Sequence, residues 1–331
     1  MNILAEGKGT LFKEVDPFAF REQRKSFNRG QRDKVTTVKE AVATYVNDGC
    51  YLGSGGFGSN RIATALLHEI VRQKKTNLAF AGHTTTHDYQ ILVAGRCLSR
   101  VDAAYIVGLE ARGLSTSARK AHQNGEIQTT EWSNASLAWR LTAGARGIPF
   151  MATYVNAGTD TFNYSAAKVV ECPFTGKPVV VVPALNPDVA IIHVHRADAM
   201  GNCQIEGITV ADEDLAAASK HVIISCEEIV DTDYFRDDPA RTTIPWVQVD
   251  AVIEVPNGAY PANMPGRYFS DEAHLREWLV AEKDAEQFAT FLNENIYGCA
   301  TFEDYLERCG GTQRIAELKA EELLSEGASS K

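Results

Sequence analysis

The 331-residue chain has no C-x-x-C pair; its seven cysteines, Cys50, Cys97, Cys172, Cys203, Cys226, Cys299 and Cys309, are scattered and odd in number. This argues against a zinc cluster and against a disulfide framework, and most of the cysteines read as small packed hydrophobes in a reducing cytoplasm. Long apolar runs are missing too. None approaches the ~18 residues of a membrane span, and the opening MNILAEGKGTLFKEVDPFAFREQRKSFNRG lacks the apolar centre of a signal peptide. The expected location is therefore cytoplasmic, with no membrane partner. Positive charge is also scarce: 33 Lys and Arg against 43 Asp and Glu leave a formal net charge of −10, and no basic stretch longer than REQRKSFNRGQRDK offsets it. Such a surface repels phosphate backbones, which excludes nucleic acid as the expected partner.

Core-forming material is ample. Hydrophobic residues make up 44% and charged residues 23%, as in soluble globular proteins, and the length suits one large α/β unit with appendages. Residues 1–35 show no period and read as an arm lying over the body or over a partner subunit, or as a partly disordered lead. Thr37 and Glu40 then suggest a capping box before the helical spacing of Val38, Ala41, Val42, Tyr45 and Val46. Short apolar strands (CYL, LAFAG, AAYIVG, IPFMATYV, PVVVVPAL, VAIIHVH, HVIIS, WVQVDAVIEVP) alternate with helical stretches, apart from an excursion at NAGTDTFNYSAAKVVECPFTGK. This pattern predicts an open, mostly parallel sheet with helices on both faces. Residues 36–269 are read as this α/β domain, and residues 270–331, mostly helical in pattern, as an extension packed on the sheet or at a subunit interface.

Few residues stand out chemically. In DGCYLGSGGFGSNRIATALL, Gly53, Gly55 and Gly58 spell G-x-G-x-x-G between a strand and a helix. A dinucleotide site would also need an acid about 20 positions on to hold the ribose; LAFAG ends at Gly82 and His83 without one. A tight turn with no ligand, or backbone N–H groups facing a carbonyl or carboxylate oxygen, remain as readings. His193 and His195 share one face of a strand, as two metal ligands could, but no third ligand is marked and packing is the plainer reading. No G-x-S-x-G elbow supports a serine nucleophile, and Cys226 follows an apolar strand that suggests burial. Glu131 and Asn134 stand just before a helix, where Asn134 or Ser133 would cap it and Glu131 would be solvated.

Taken in order, DGCYLGSGGFG, EWSNASLAWRLTAGARGIPF, PDVAIIHVHRADAMGNC, AAASKHVIISCEEIV and VQVDAVIEVPNGAYP resemble the alpha (A) subunits of family I CoA-transferases, nearest the glutaconate CoA-transferase branch. The resemblance runs from about Thr37 to Pro261. It implies the open α/β fold these enzymes share with sugar-phosphate isomerases, coenzyme A as substrate and product, no other cofactor and no metal. It also implies a B (beta) subunit in an A2B2 or A4B4 hetero-oligomer. In the family the nucleophilic glutamate lies on that second chain, in a Ser-Glu-Asn-Gly stretch. Here QNGEI places Glu126 after Asn124 and Gly125, so no catalytic residue is expected in this chain. By the same resemblance the substrates are an acyl-CoA and a short acid, expected to be dicarboxylic. Related hydrolases or decarboxylases on the same fold are the runner-up, and a scaffolding subunit the second alternative.

Acyl transfer through tetrahedral steps needs fixed donors for an oxyanion in a dry cleft. Gly55, Gly56, Phe57 and Gly58 are therefore the expected lining of the acyl or carboxylate pocket, with Phe57 as a wall against water. His83 and Thr84, at the end of the following strand, should face the same crevice. Glu131 and Asn134 are candidates to support it from behind.

Overall fold

Leu78–Gly82 is buried at every position, and its side chains sort by parity. Leu78 and Phe80 enter one apolar core, Ala79 and Ala81 the other. The same division holds further along the chain, where Val189 and Ile191 face the first core and Ala190, Ile192 and Val194 the second. A strand covered on both faces needs apolar side chains on both, which is why these segments read as unbroken apolar runs.

The computed structural model describes residues 2–27, 30–106 and 112–324. Its strands are β1 (Ile3–Glu6), β2 (Tyr51–Ser54), β3 (Leu78–Gly82), β4 (Leu98–Ala103), β5 (Gln128–Glu131), β6 (Phe150–Thr153), β7 (Lys168–Glu171), β8 (Pro178–Pro183), β9 (Val189–Asp198), β10 (Cys203–Gln204), β11 (His221–Val230) and β12 (Ala251–Glu254). The helices are α1 (Pro17–Lys25), α2 (Val38–Tyr45), α3 (Thr64–Arg72), α4 (His87–Ala94), α5 (Thr116–Gln123), α6 (Asn134–Arg146), α7 (Asp160–Tyr164), α8 (Asp212–Ala218) and α9 (Asp233–Asp237), then α10 (Glu272–Ala281), α11 (Ala285–Leu292), α12 (Phe302–Arg308) and α13 (Gly311–Glu322). The capping box at Thr37 and Glu40 forms as the spacing suggests.

The main sheet runs β12-β11-β9-β2-β3-β4-β5, parallel throughout, with β10 folding back antiparallel on β9. Chain order advances outward from β2 in one direction and from β9 in the other, so the switch point lies between them. Leu66, Leu67 and Ile70 of α3 and Tyr89 of α4 fill the core on one face together with Trp278, Phe302, Tyr305 and Leu318 of the C-terminal helices. Leu137 and Leu141 of α6 and Leu215 and Ala216 of α8 fill the other.

Two strand readings change. AAYIVG is not the strand: β4 ends at Ala103, where that run begins, and Val107 and Gly108 lie outside the described residues. The real strand, LSRVDA, hides behind polar letters because Asp102 is buried in an ionic network. IPFMATYV and PVVVVPAL do supply strands, but not to the main sheet. They pair antiparallel in a second sheet of order β1-β7-β8-β6, to which the N-terminal arm contributes the edge strand β1. Val180 and Val182 of β8 turn its inner face toward the core beneath α6.

Asp102 joins these layers. Its carboxylate accepts the Tyr51 hydroxyl and the Trp132 indole N–H (2.6 Å), and it pairs with Arg140 Nη1 at 2.8 Å. The guanidinium lies over the Trp132 ring, 4.1 Å from its centre, and donates from Nε to Pro183 O at the end of β8. Both charges are about 1% exposed. Removing one member strands the other in a low-dielectric interior. Arg140→Ala is expected to lower unfolding free energy by about 3–5 kcal/mol, read from urea titration. A loss below about 1 kcal/mol, the level of a surface pair, would show that the pair does not tie the sheets.

Candidate active site at the sheet switch point

β2 carries the chain out of the sheet at Ser54, and the next residues must turn at once because β9 flanks them. Gly55 has no room for a side chain: a Cβ there would meet Asp212 Oδ1 at 2.5 Å and Ile192 at 3.0 Å. At Gly56, φ is +86° and a Cβ would lie 2.4 Å from Asn60 O. Gly58 has φ +61° with open space around it. The three glycines thus answer three demands: close approach to a neighbouring element, a left-handed turn under a carbonyl, and a left-handed turn alone.

The hydrogen bonds of this loop correct one expectation. The N–H of Gly55 donates to Ile191 O (2.9 Å), that of Gly56 to Asp212 Oδ1 (2.8 Å), that of Phe57 to Asn60 O (3.1 Å) and that of Gly58 to Thr84 O (2.9 Å). All four donors expected to face a ligand oxygen are engaged within the chain. The reason is topological: the loop is enclosed by β9, by the start of α8 and by the β3–α4 turn, each offering an acceptor. The loop is therefore a braced wall.

Arg61 and Asp212 hold the brace. Arg61 Nη2 lies 2.6 Å from Asp212 Oδ2, off hydrogen-bond alignment, with exposures of 0% and 1%, and it also donates to Ile208 O at 2.6 Å. Nε and Nη1 of Arg61 have no partner among the described residues. Arg61 itself adopts φ +57° and Thr84 φ +54°; a β-branched residue in that region is strained and persists only where its surroundings over-determine it. On the other flank, Thr86 Oγ1 donates to Gly58 O at 2.8 Å.

Phe57 and His83 stand side by side, ring centres 5.3 Å apart, both half-buried. Burial holds the His83 imidazole below its usual range, opposed by a hydrogen bond to the Asn134 main chain and by the charge of Asp212. The side-chain Oδ1 of Asn134 is buried without a partner among the described residues, at the N-terminus of α6, where Ser133 and Ser136 form the capping box. Phe57, His83 and Asn134 are thus brought together. Thr84 lies beneath them, 7% exposed, with its carbonyl turned to the loop. Glu131 stands apart, exposed, at a separate cavity at the ends of β4 and β5 that Arg119, Thr129 and Trp132 also line.

The other chemical candidates have structural employment. His193 contacts Ser225 Oγ (2.8 Å) and Glu227 Oε1 (2.9 Å) through its two ring nitrogens, and His195 contacts Pro265 O and the Glu206 N–H. Among the described residues no group of three His, Cys, Asp or Glu side chains is placed to hold a metal ion. Burial pushes the Cys226 thiol up to about 12, so it is no nucleophile near neutral pH. Among the described residues no helix is long and apolar enough to cross a membrane.

A crevice outside the carboxyl ends of parallel strands, at their switch point, is where open α/β sheets bind ligands. Residues 35–255, which span this sheet, match the family model described as Coenzyme A transferase. The chain belongs to the coenzyme A transferase family. It is similar over 328 residues, at 45% identity, to an uncharacterized protein of Archaeoglobus fulgidus, covering 98% of this chain and 73% of that one. The glutaconate CoA-transferase A subunit from Acidaminococcus fermentans is 31% identical over 303 residues, 86% of this chain and 94% of that one. The crystal structure of that enzyme superposes with a TM-score of 0.83 at 30% identity over 86% of this chain and 95% of that chain. A variant of the decarboxylase AibA/AibB gives 0.71 at 31% identity over 79% of this chain and 100% of the other.

The brace itself is invisible in sequence. Arg61 and Asp212 come from distant segments with no spacing signal; the only hint is an arginine soon after the third glycine.

Two outcomes follow from the loop geometry. Gly58→Ala should cost only about 1–2 kcal/mol of left-handed strain, whereas Gly56→Ala, which drives a Cβ into a carbonyl, should lower the melting temperature well beyond it; equal losses would refute the packing argument. Burial raises the carboxyl of Asp88, in the first turn of α4, to about 6, against the hydrogen bond it accepts from Thr86 N. A raised carboxyl favours folding while protonated, and that contribution is lost as pH rises from the unfolded value near 3.8 through about 6. Asp88→Asn should therefore stabilise the protein at pH 7 by on the order of 3 kcal/mol and lose this advantage near pH 4. Denaturant titrations at the two pH values decide it: a variant less stable at both removes the linkage.

Proposed function

We propose that this chain is the A subunit of a two-chain CoA-transferase that moves CoA between an acyl-CoA and a short dicarboxylic acid. The nucleophilic glutamate is supplied by the B subunit. The observation that carries this reading is the family match spanning the sheet, with the glycine loop, Phe57 and His83 converging at its switch point. The glutaconate enzyme, whose name specifies a dicarboxylic acid, supports the acid class. A2B2 and A4B4 assemblies both fit it.

The chemistry runs in balanced steps. The partner carboxylate attacks the thioester carbon, giving a mixed anhydride and CoA thiolate; the thiolate attacks the enzyme's own acyl carbon, releasing the first acid and leaving an enzyme–CoA thioester. The acceptor acid reverses the sequence. In this reading Gly55, Gly56, Phe57 and Gly58 form the wall against which the acyl group lies, and Phe57 excludes water. His83 lines the same crevice, with Asn134 beside it and Thr84 beneath. A largely neutral His83 suits the role of hydrogen-bond donor to an acyl oxygen. The loop contributes shape and rigidity more than donors, so stabilisation of the oxyanion falls to His83, to Asn134 and to groups of the partner. Glu131 has a remote part at most.

A second reading, a decarboxylase or hydrolase built on the same pair of chains, is favoured by the superposition on AibA/AibB. The partner's chemistry separates the two. The chain is co-expressed with the product of the neighbouring reading frame, incubated with acyl-CoA and no acceptor, then treated with borohydride. A partner glutamate recovered as its alcohol is the expected outcome. Free acid or carbon dioxide released in turnover without such a trap would discard the transferase reading.

A further inference from the structure

Arg112 stands at the rim of the glycine loop. Its Nη2 donates to Ser59 Oγ at 3.2 Å, and Nε and Nη2 together grip Glu272, at 2.7 Å to Oε2 and 2.5 Å to Oε1. The arginine side chain is 13% exposed and the glutamate 38%. This grip commits one edge of the guanidinium; Nη1 has no bond to any described residue. Ser59 follows Phe57 by two residues, at most about 7 Å of chain. Arg112 is thus anchored to the loop that carries Phe57.

A guanidinium held by one carboxylate and one hydroxyl, with Nη1 still uncommitted, can donate to a second anion. Charge-assisted N–H···O bonds are the strong ones, and a prefixed fork loses little side-chain freedom on binding. The anion must be close to the acyl wall. CoA phosphates are a pantetheine arm away from the thioester, so the group that fits is a carboxylate on the acyl portion itself.

We infer that Arg112 binds the remote carboxylate of the dicarboxylic acid, and that Glu272, at the first position of α10 and beyond the residues matched by the family model, is the positioning residue that aims it. The inference rests on the transferase reading. The competing account is a bolt: the ion pair only fastens α10 to the loop.

The test uses the co-purified two-chain enzyme. KM is measured for succinate, glutarate and adipate against butyrate, valerate and hexanoate. Arg112→Ala should raise KM for the diacids about tenfold or more beyond any rise for the monoacids, Arg112→Lys should give an intermediate effect, and Glu272→Gln should raise diacid KM with little change in kcat. Equal rises for both acid classes would establish the bolt and overturn the assignment. A rise confined to acyl-CoA would assign Arg112 to CoA, and a wild-type enzyme that does not prefer diacids would remove the site. Should Arg112→Ala fail to fold, the Lys and Gln variants carry the comparison. Trapping of the enzyme–CoA thioester without added acid keeps the premises apart: its absence in the wild type refutes the transferase reading. Its presence with no diacid-selective defect refutes the role of Arg112 alone.

Discussion

A buried ion pair between Arg61 and Asp212 holds the crevice together. The two come from opposite sides of the switch point, one following the glycine loop and the other opening the helix after β9 and β10. Asp212 divides its oxygens between that guanidinium and the Gly56 N–H. Pairs of this kind gain little net stability, because desolvation opposes attraction. What they gain is definition. An unpaired charge at 0% exposure is costly enough that alternative loop positions, which would separate the partners, are disfavoured.

The same logic recurs one layer out at Asp102, whose partners come from β2, from the junction of β5 and α6, and from α6 itself. Through Arg140 this network reaches the end of β8 and fixes the antiparallel sheet against α6. Asn134, which meets His83, sits at the start of that helix. Placement of the polar groups at the crevice mouth thus depends on a carboxylate within the sheet, paired in register with Ala81 of β3.

How much of this is legible in the sequence follows from how each feature is encoded. LAFAG declares itself because a strand covered on both faces leaves no place for polar letters, and the capping box at Thr37 is legible because the interaction is local. The strand at Leu98 escapes a reading by apolar runs because its essential residue, Asp102, looks like a loop letter until its partners are known. PVVVVP reads alike for a central parallel strand and for the antiparallel one it forms, since pairing direction is a tertiary fact. ILAE at the N-terminus is exposed throughout and carries no pattern at all. The position of the candidate site is readable from glycine spacing and strand order. The state of its donors is not, because three of the four acceptors, on β9, α8 and the β3–α4 turn, are scattered in sequence.

The internal satisfaction of the loop's four N–H groups has an evolutionary consequence. A ligand arriving there finds a finished surface with nothing to compete for, and the loop need not rearrange to receive it. Selection between acids is then exerted from the surroundings, where a side chain can change without disturbing the turn. One scaffold could pass between substrates, and even between reactions, while its glycines stay as they are.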